Sequence, residues 1–179
     1  MPSVGFSDLR GKLVGLRVFQ SSDITAEYIS WLNDPEVTRY SNQRFIHHTE
    51  ESCRSYLASF AGSSNGFWSV CRLEDNRPIG TMTAYVAEYH GTVDIGIMIG
   101  CRDVWGQGYG QDAWNTAVDW FHFQAGLRKV TAGTMRSNRS MMRLLERSGM
   151  TLECVRPRQE LLDGTPQDLC YFAKYNEER

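Results

Sequence analysis

Asp103-Val104-Trp105-Gly106-Gln107-Gly108-Tyr109-Gly110-Gln111-Asp112-Ala113 is the stretch on which the reading of this chain turns. Three glycines alternate with larger residues, directly after an apolar run (Ile95 to Ile99) and directly before an amphipathic run (Ala113 to Phe123). The order is strand, glycine turn, helix. Glycines allow a tight turn and let backbone come close to a ligand, because no Cβ intervenes. The following helix aims its free N–H groups and positive dipole end into the same turn, which suits a pyrophosphate. Taken alone, the three glycines are equally readable as a plain connection, so the rest of the chain has to decide.

The chain of 179 residues has the length of one domain, read as 1–179 with about 10–175 structured, and can bury a core without staples. A formal charge of −2 offers no basic field for nucleic acid and no polybasic patch for a membrane surface. Five cysteines (Cys53, Cys71, Cys101, Cys154, Cys170), odd in number and without Cys-x-x-Cys spacing, read as reduced thiols and not as a disulfide frame or metal site. Met1-Pro2-Ser3-Val4 shows no signal-peptide pattern and no apolar run approaches membrane-spanning length, so a cytoplasmic protein is expected.

In chain order, Lys12 to Phe19 reads as a strand. Ser21-Ser22-Asp23 offers N-caps for a helix carrying Ile24, Tyr28, Ile29, Trp31 and Leu32, which stops at Asn33-Asp34-Pro35. Thr49 caps a second helix with Tyr56, Leu57 and Phe60 inward. Three strand-like runs follow, Phe67 to Leu73, Pro78 to Val86 and Thr92 to Ile99, forming an antiparallel meander that leads into the glycine turn. After the helix from Ala113, Gly126 precedes a strand from Leu127 to Met135. Asn138 or Ser140 opens a short helix with Met141, Leu144 and Leu145 inward, closed by Gly149, and the tail reads as a hairpin (Leu152 to Arg158, Leu169 to Tyr175) around Asp163-Gly164-Thr165-Pro166. A meander plus one β-α-β crossover makes an α+β domain with a central twisted mixed β-sheet flanked by helices. A Rossmann chain would place the glycine turn after its first strand, and a P-loop would continue with Gly-Lys-Ser/Thr; neither is present.

That order resembles the GNAT N-acetyltransferases, and most of all their RimJ/RimL-type branch. The family's Gln/Arg-x-x-Gly-x-Gly/Ala turn stands here as Trp105-Gly106-Gln107-Gly108-Tyr109-Gly110, with the tryptophan that this branch commonly shows. Asn138 to Leu145 and then Glu146-Arg147-Ser148-Gly149-Met150 is similar to a second block, and Trp31-Leu32-Asn33-Asp34-Pro35-Glu36-Val37 to a third. The closing hairpin, with Asp163-Gly164 and Asp168 ahead of Tyr171, also fits. The resemblance implies a GNAT-like single domain, acetyl-CoA as donor without a metal, and direct attack of an amine on the thioester. It places Trp105, Gly106, Gln107, Gly108, Tyr109, Gly110 and Gln111 at the pyrophosphate. Met98 and Ile99 fall at the pantetheine arm and, through a backbone N–H, at the thioester oxygen; Asn138, Met141 and Arg147 fall along the cofactor.

Asp94 falls where the family often carries a carboxylate and is the candidate base. The family's frequent tyrosine acid is replaced by Leu145 and the RimL-type serine by Met141, leaving Tyr85, Tyr89, Tyr109 or water for that task. The acceptor, a small-molecule amine, is expected against Trp31, Tyr85 and the segment Arg39 to His48. Arg39, Tyr40, Arg44, His47 and His48 of that segment suit an anionic amine such as an amino-sugar nucleotide. The N-terminus of a ribosomal protein is the alternative acceptor, and a non-catalytic acyl-CoA sensor the alternative of another class. A homodimer is compatible with either enzyme reading.

Overall fold

The computed structural model describes residues 5–176, so the reading of Met1 to Val4 lies outside it. Eight strands form one sheet: β1 (Leu9–Arg10), β2 (Val14–Val18), β3 (Gly66–Arg72), β4 (Pro78–Ala87), β5 (Thr92–Ile99), β6 (Lys129–Met135), β7 (Thr151–Leu162) and β8 (Thr165–Tyr175). Their order is β1-β2-β3-β4-β5-β6-β8-β7, and every neighbouring pair is antiparallel except β5 with β6. Helices α1 (Ala26–Leu32), α2 (Pro35–Thr38) and α3 (Glu50–Ala58) come between β2 and β3. Helix α4 (Tyr109–Asp119) forms the crossover, and α5 (Arg139–Arg147) joins β6 to β7. The meander, the single crossover and the closing hairpin are all present.

Helix α4 buries Ala113, Trp114, Ala117 and Val118, the i, i+1, i+4, i+5 stripe that its sequence displays. It continues into a π-helical turn, Trp120–Gln124, and Gly126 at φ 66° carries the chain out of it.

Three details differ from the sequence reading. Helix α1 is capped by Thr25, whose side chain accepts from Tyr28 N–H, while Ser21–Asp23 forms a separate 3-10 turn. Asp23 is drawn away by Arg17, which donates to it at 3.0 Å, and by the N–H of Gln20 at 2.7 Å. Helix α4 starts at Tyr109 instead of Ala113, so the last glycine of the motif lies inside its first turn. The tail strands are longer than expected and run through Pro157 and Pro166. Pro157 is tolerated because β7 is the sheet edge, where a missing N–H costs no ladder bond, and because the strand is bulged between Arg156 and Glu160.

Candidate active site

Strands β5 and β6 pair only over Thr92↔Lys129, Val93↔Val130 and Asp94↔Thr131. Beyond Asp94, β5 stays with β4 as far as Gly80↔Ile99, while β6 follows β8 as far as Met135↔Leu169. The two parallel strands therefore part at Asp94, and the β6-facing edge of Gly96 to Ile99 has no strand beside it. The direction of each peptide group along that edge can be fixed. Gly100 N–H donates to the Ile79 carbonyl at 2.9 Å, one step beyond the β4–β5 register. Antiparallel ladders alternate between exchanging and non-exchanging pairs, so Met98 is committed to Thr81 and Gly96 to Thr83. Ile95 faces the last paired residue of β6, Thr131, and Ile97 and Ile99 turn their N–H and C=O groups to the open side. Two side chains agree: Thr131 Oγ1 donates to the Val93 carbonyl at 3.2 Å, and Trp105 Nε1 donates to the Ile99 carbonyl at 2.8 Å.

The open edge leads into the glycine turn. Gly106 and Gly108 have φ of 76° and 91°, a region in which L side chains are strained. A Cβ on Gly106 would meet nothing within 4 Å, and one on Gly108 only Leu13 at 3.7 Å, so both face open space. Gly108 is the N-cap of α4 and supplies no side chain to the first turn, whose N–H groups at Tyr109, Gly110 and Gln111 have no acceptor inside the helix. Gly110 is different: its backbone packs toward Ile99, 3.4 Å from where a Cβ would sit. The first-turn acid, Asp112, points the other way and accepts the N–H groups of Lys12, Leu13 and Val14 at 3.1, 2.8 and 3.1 Å. Gln111 ties α4 to α5, donating to Ser148 Oγ at 2.7 Å and to the Leu144 carbonyl at 3.3 Å. The turn thus offers uncapped donors and unobstructed glycine faces, a cradle that fits an anionic pyrophosphate.

Asn138 Oδ1 caps α5 through Met141 N–H at 3.2 Å. Met141 is half-buried, and Arg147 is exposed. Leu145 is fully buried in the core, with no polar atom to give.

On the sheet face away from α4, an open cleft of about 240 Å³ is lined by Tyr40, Asn42, Asp94, Gly133, Thr134, Met135, Glu160, Leu169 and Tyr171. Gly133 lets the Tyr171 ring lie close over the strand: a Cβ there would sit a tight 3.0 Å from the ring. Asp94 Oδ2 accepts from Thr131 Oγ1 at 2.8 Å. Asp94 is exposed as a residue, but protein packed around its carboxyl raises its pKa from the ordinary Asp value, and the Thr131 hydroxyl opposes that rise.

Of the acceptor residues expected from sequence, Tyr40 lines this cleft and the others do not. Arg39 pairs with Asp163 at the hairpin tip (3.2 Å), and Arg44 donates to the carbonyls of Leu161 (2.9 Å) and Ser41 (2.7 Å) while stacking on Phe45. His48 is buried, exchanging backbone bonds with the Asn33 side chain and placing Nε2 3.3 Å from the Gln43 carbonyl. His47 is exposed. Trp31 is buried against Gly100, where a Cβ would lie 2.2 Å from its indole. Tyr85 stands opposite Asp94 in the ladder, with its hydroxyl 2.7 Å from that of Tyr56. Of the other tyrosines considered as acids, Tyr89 is almost fully exposed on the β4–β5 turn, at the far end of β5. The two arginines of the segment Arg39 to His48 are engaged with the hairpin, and the cleft itself carries the carboxylates of Asp94 and Glu160. Glu160 and Gly133 were not singled out from sequence. The register Gly133↔Tyr171, a small residue opposite an aromatic in paired strands, was the one available signal.

Among the described residues no group of three or more His, Cys, Asp or Glu is placed to hold a metal ion, and no helix is long and apolar enough to cross a membrane.

Two central parallel strands thus part beside an uncapped helix N-terminus. Residues 14–151 match the model of the acetyltransferase (GNAT) domain, and the chain belongs to that family. No curated protein matches it significantly in sequence. Among solved structures, a GNAT-family acetyltransferase from Bacillus anthracis superimposes with TM-score 0.81 at 19% identity, covering 95% of this chain and 99% of that one. The ribosomal-protein-S5-alanine acetyltransferase from Vibrio fischeri gives 0.79 at 17% identity, over 97% and 98%. Spermidine N-acetyltransferase from Vibrio cholerae, in complex with CoA and spermine, gives 0.80 at 17% identity, over 92% and 96%. At these identities the likeness is one of fold.

Proposed function

We propose that the protein is an N-acetyltransferase that moves the acetyl group of acetyl-CoA directly to a primary amine bound in the Asp94 cleft. The observation that carries this reading is the parting of β5 and β6 at Asp94: one open edge connects the glycine turn to the cleft. The pyrophosphate binds the free N–H groups of Tyr109, Gly110 and Gln111 beside Gly106, Gln107 and Gly108. The pantetheine arm takes a strand's place along Gly96 to Ile99. Asn138, Met141 and Arg147 flank it from α5. Trp105 acts through the strand end that it fastens.

Asp94 takes the proton of the incoming ammonium, directly or through water, and the neutral nitrogen attacks the thioester carbon. The N–C bond forms, the C–S bond breaks, and the thiolate takes a proton from solvent. A CoA thiol leaves with little help, which accords with the buried leucine at position 145. The developing oxyanion needs an outward N–H. Met98 directs its own to Thr81, so the donor falls to Ile97 or Ile99. At about 3.3 Å per residue, Ile97 is roughly 10 Å along the strand from Asp94 and Ile99 roughly 17 Å. Ile97 is the better placed.

Negative charge in the cleft favours a cationic acceptor over an anionic amino-sugar nucleotide. The spermine complex of the V. cholerae enzyme is a precedent for a small amine on this fold. A protein N-terminus is the second reading, since it too is a cation and the V. fischeri neighbour acts on a ribosomal protein. The test is thiol release from acetyl-CoA with a panel of amines and N-terminal peptides. Amine-dependent release supports the transferase, and CoA binding with no release from any amine supports a sensor.

A further inference from the structure

Glu160 is the second carboxylate of the cleft, and its setting differs from that of Asp94. It is half-buried, and within the described residues it has no hydrogen bond and no ion pair. It follows a built distortion. From Arg156↔Leu169 to Glu160↔Gln167, β7 takes four residue steps where β8 takes two. The two extra residues are held in place: Arg158 adopts φ 53° and its N–H donates to Asp168 Oδ1 at 3.0 Å, while Arg136 Nε holds Oδ2 at 3.1 Å. Bulges of this kind bend a strand and aim a side chain.

The surrounding cations do not compensate Glu160. Arg39 is paired with Asp163, Arg44 with backbone carbonyls, Arg136 with Asp168, and the Arg156 guanidinium lies over the Tyr171 ring at 5.0 Å. A carboxylate left without a partner on the wall of an open cleft is free to take the charge-assisted hydrogen bonds of a bound cation. The remaining walls are the aromatic rings of Tyr40 and Tyr171 and the apolar surfaces of Met135 and Leu169.

From this juxtaposition we infer that Glu160 determines acceptor specificity by binding a second ammonium, so that the acceptor is a linear aliphatic diamine or polyamine whose reacting nitrogen lies at Asp94. The inference rests on the transferase reading above. Apolar walls receive the methylene chain, and two separate carboxylates receive its two charges.

The experiment compares 1,4-diaminobutane and 1,5-diaminopentane with butylamine, pentylamine and 5-aminopentanoate as acceptors, measuring thiol release from acetyl-CoA. For the wild type, kcat/KM for the diamines should exceed that for the monoamines about tenfold, with the aminocarboxylate lowest. Glu160→Gln should collapse the diamine-to-monoamine ratio through KM, and Glu160→Asp should restore part of it. Equal kcat/KM for diamine and monoamine in the wild type overturns the proposal. So does a ratio that survives Glu160→Gln. Absence of thiol release from every amine overturns the transferase reading instead. Calorimetry then decides the remaining question: diamine binding lost in Glu160→Gln upholds the second-ammonium site, and equal binding of diamine and monoamine overturns it.

Discussion

The carboxylate of Asp112 accepts the backbone N–H of Leu13 at 2.8 Å, and the same Leu13 side chain underlies Gly108. One acid thereby fixes the β1–β2 turn against the first turn of α4. Gly11 completes the fit, since a Cβ there would lie 2.4 Å from Asp112 Oδ2. Removing the carboxylate leaves three N–H groups to water, two of them exposed. Asp112→Ala should cost about 1–3 kcal/mol, read from urea denaturation. It should also weaken CoA binding several-fold, because the helix start loses its anchor. A CoA affinity equal to wild type would separate the anchor from the glycine turn.

Gly108→Val places a β-branched residue at φ 91°, at a local cost of about 1–3 kcal/mol, and fills the open face of the turn. CoA affinity should fall at least tenfold in a chain that still melts cooperatively. Gly110→Val acts differently, pressing on Ile99 from inside the first helical turn. Isothermal titration of CoA against each folded variant checks both; unchanged affinity would remove the turn from the pyrophosphate site.

For Asp94 the direction of the pKa shift sets two outcomes. A base must be deprotonated, so kcat/KM should decline as pH falls through the raised pKa of Asp94, and Asp94→Asn should lose most of its turnover. The stability effect has the opposite sense. A carboxyl whose folded pKa lies above its unfolded value binds protons more tightly when folded, so folding loses stability as pH rises through the folded value. Asp94→Asn should therefore melt at a higher temperature than wild type at neutral pH, and that gain should vanish below about pH 4, where both states are protonated. Melting curves across pH, beside rate profiles, distinguish this from a surface aspartate, for which neither effect would occur.

Trp105 holds the end of β5 through a single bond from its indole to Ile99. Trp105→Phe keeps most of the apolar surface and deletes that donor. The expected loss is about 1 kcal/mol of stability, with KM for acetyl-CoA raised and kcat less affected. Steady-state kinetics settle the split, and a kcat effect larger than the KM effect would argue that Trp105 touches the reacting atoms.

The elements around the glycine turn were legible because their signals are local. The glycine turn, the α4 stripe and the Asn138 cap each lie within a dozen residues, and periodicity or capping chemistry reports them directly. Thr25 was passed over in favour of Ser21 to Asp23 because cap preference cannot see that Arg17 claims Asp23. The acceptor half depended on pairs that sequence does not announce: Arg39 with Asp163 and Arg44 with Leu161 are separated by 124 and 117 residues. A cluster of basic residues looked like a place for an anion, and in the fold two of its arginines reach distant partners on the hairpin instead. Glu160 was invisible for the same reason, since a bulge in β7, three strands from β5, brings it to the cleft of Asp94.

The clasp of Arg39 and Arg44 on the β7–β8 tip carries a consequence for how the two substrates are read. The donor's cradle is assembled from one contiguous run, β5 through α5. The cleft shares Asp94 and the end of β6 with that run and adds walls from the early helical segment and the last hairpin. Exchanging the hairpin tip between Glu160 and Gln167 would therefore rebuild one wall of the cleft while leaving the residues of the glycine turn and the Asp94 wall untouched.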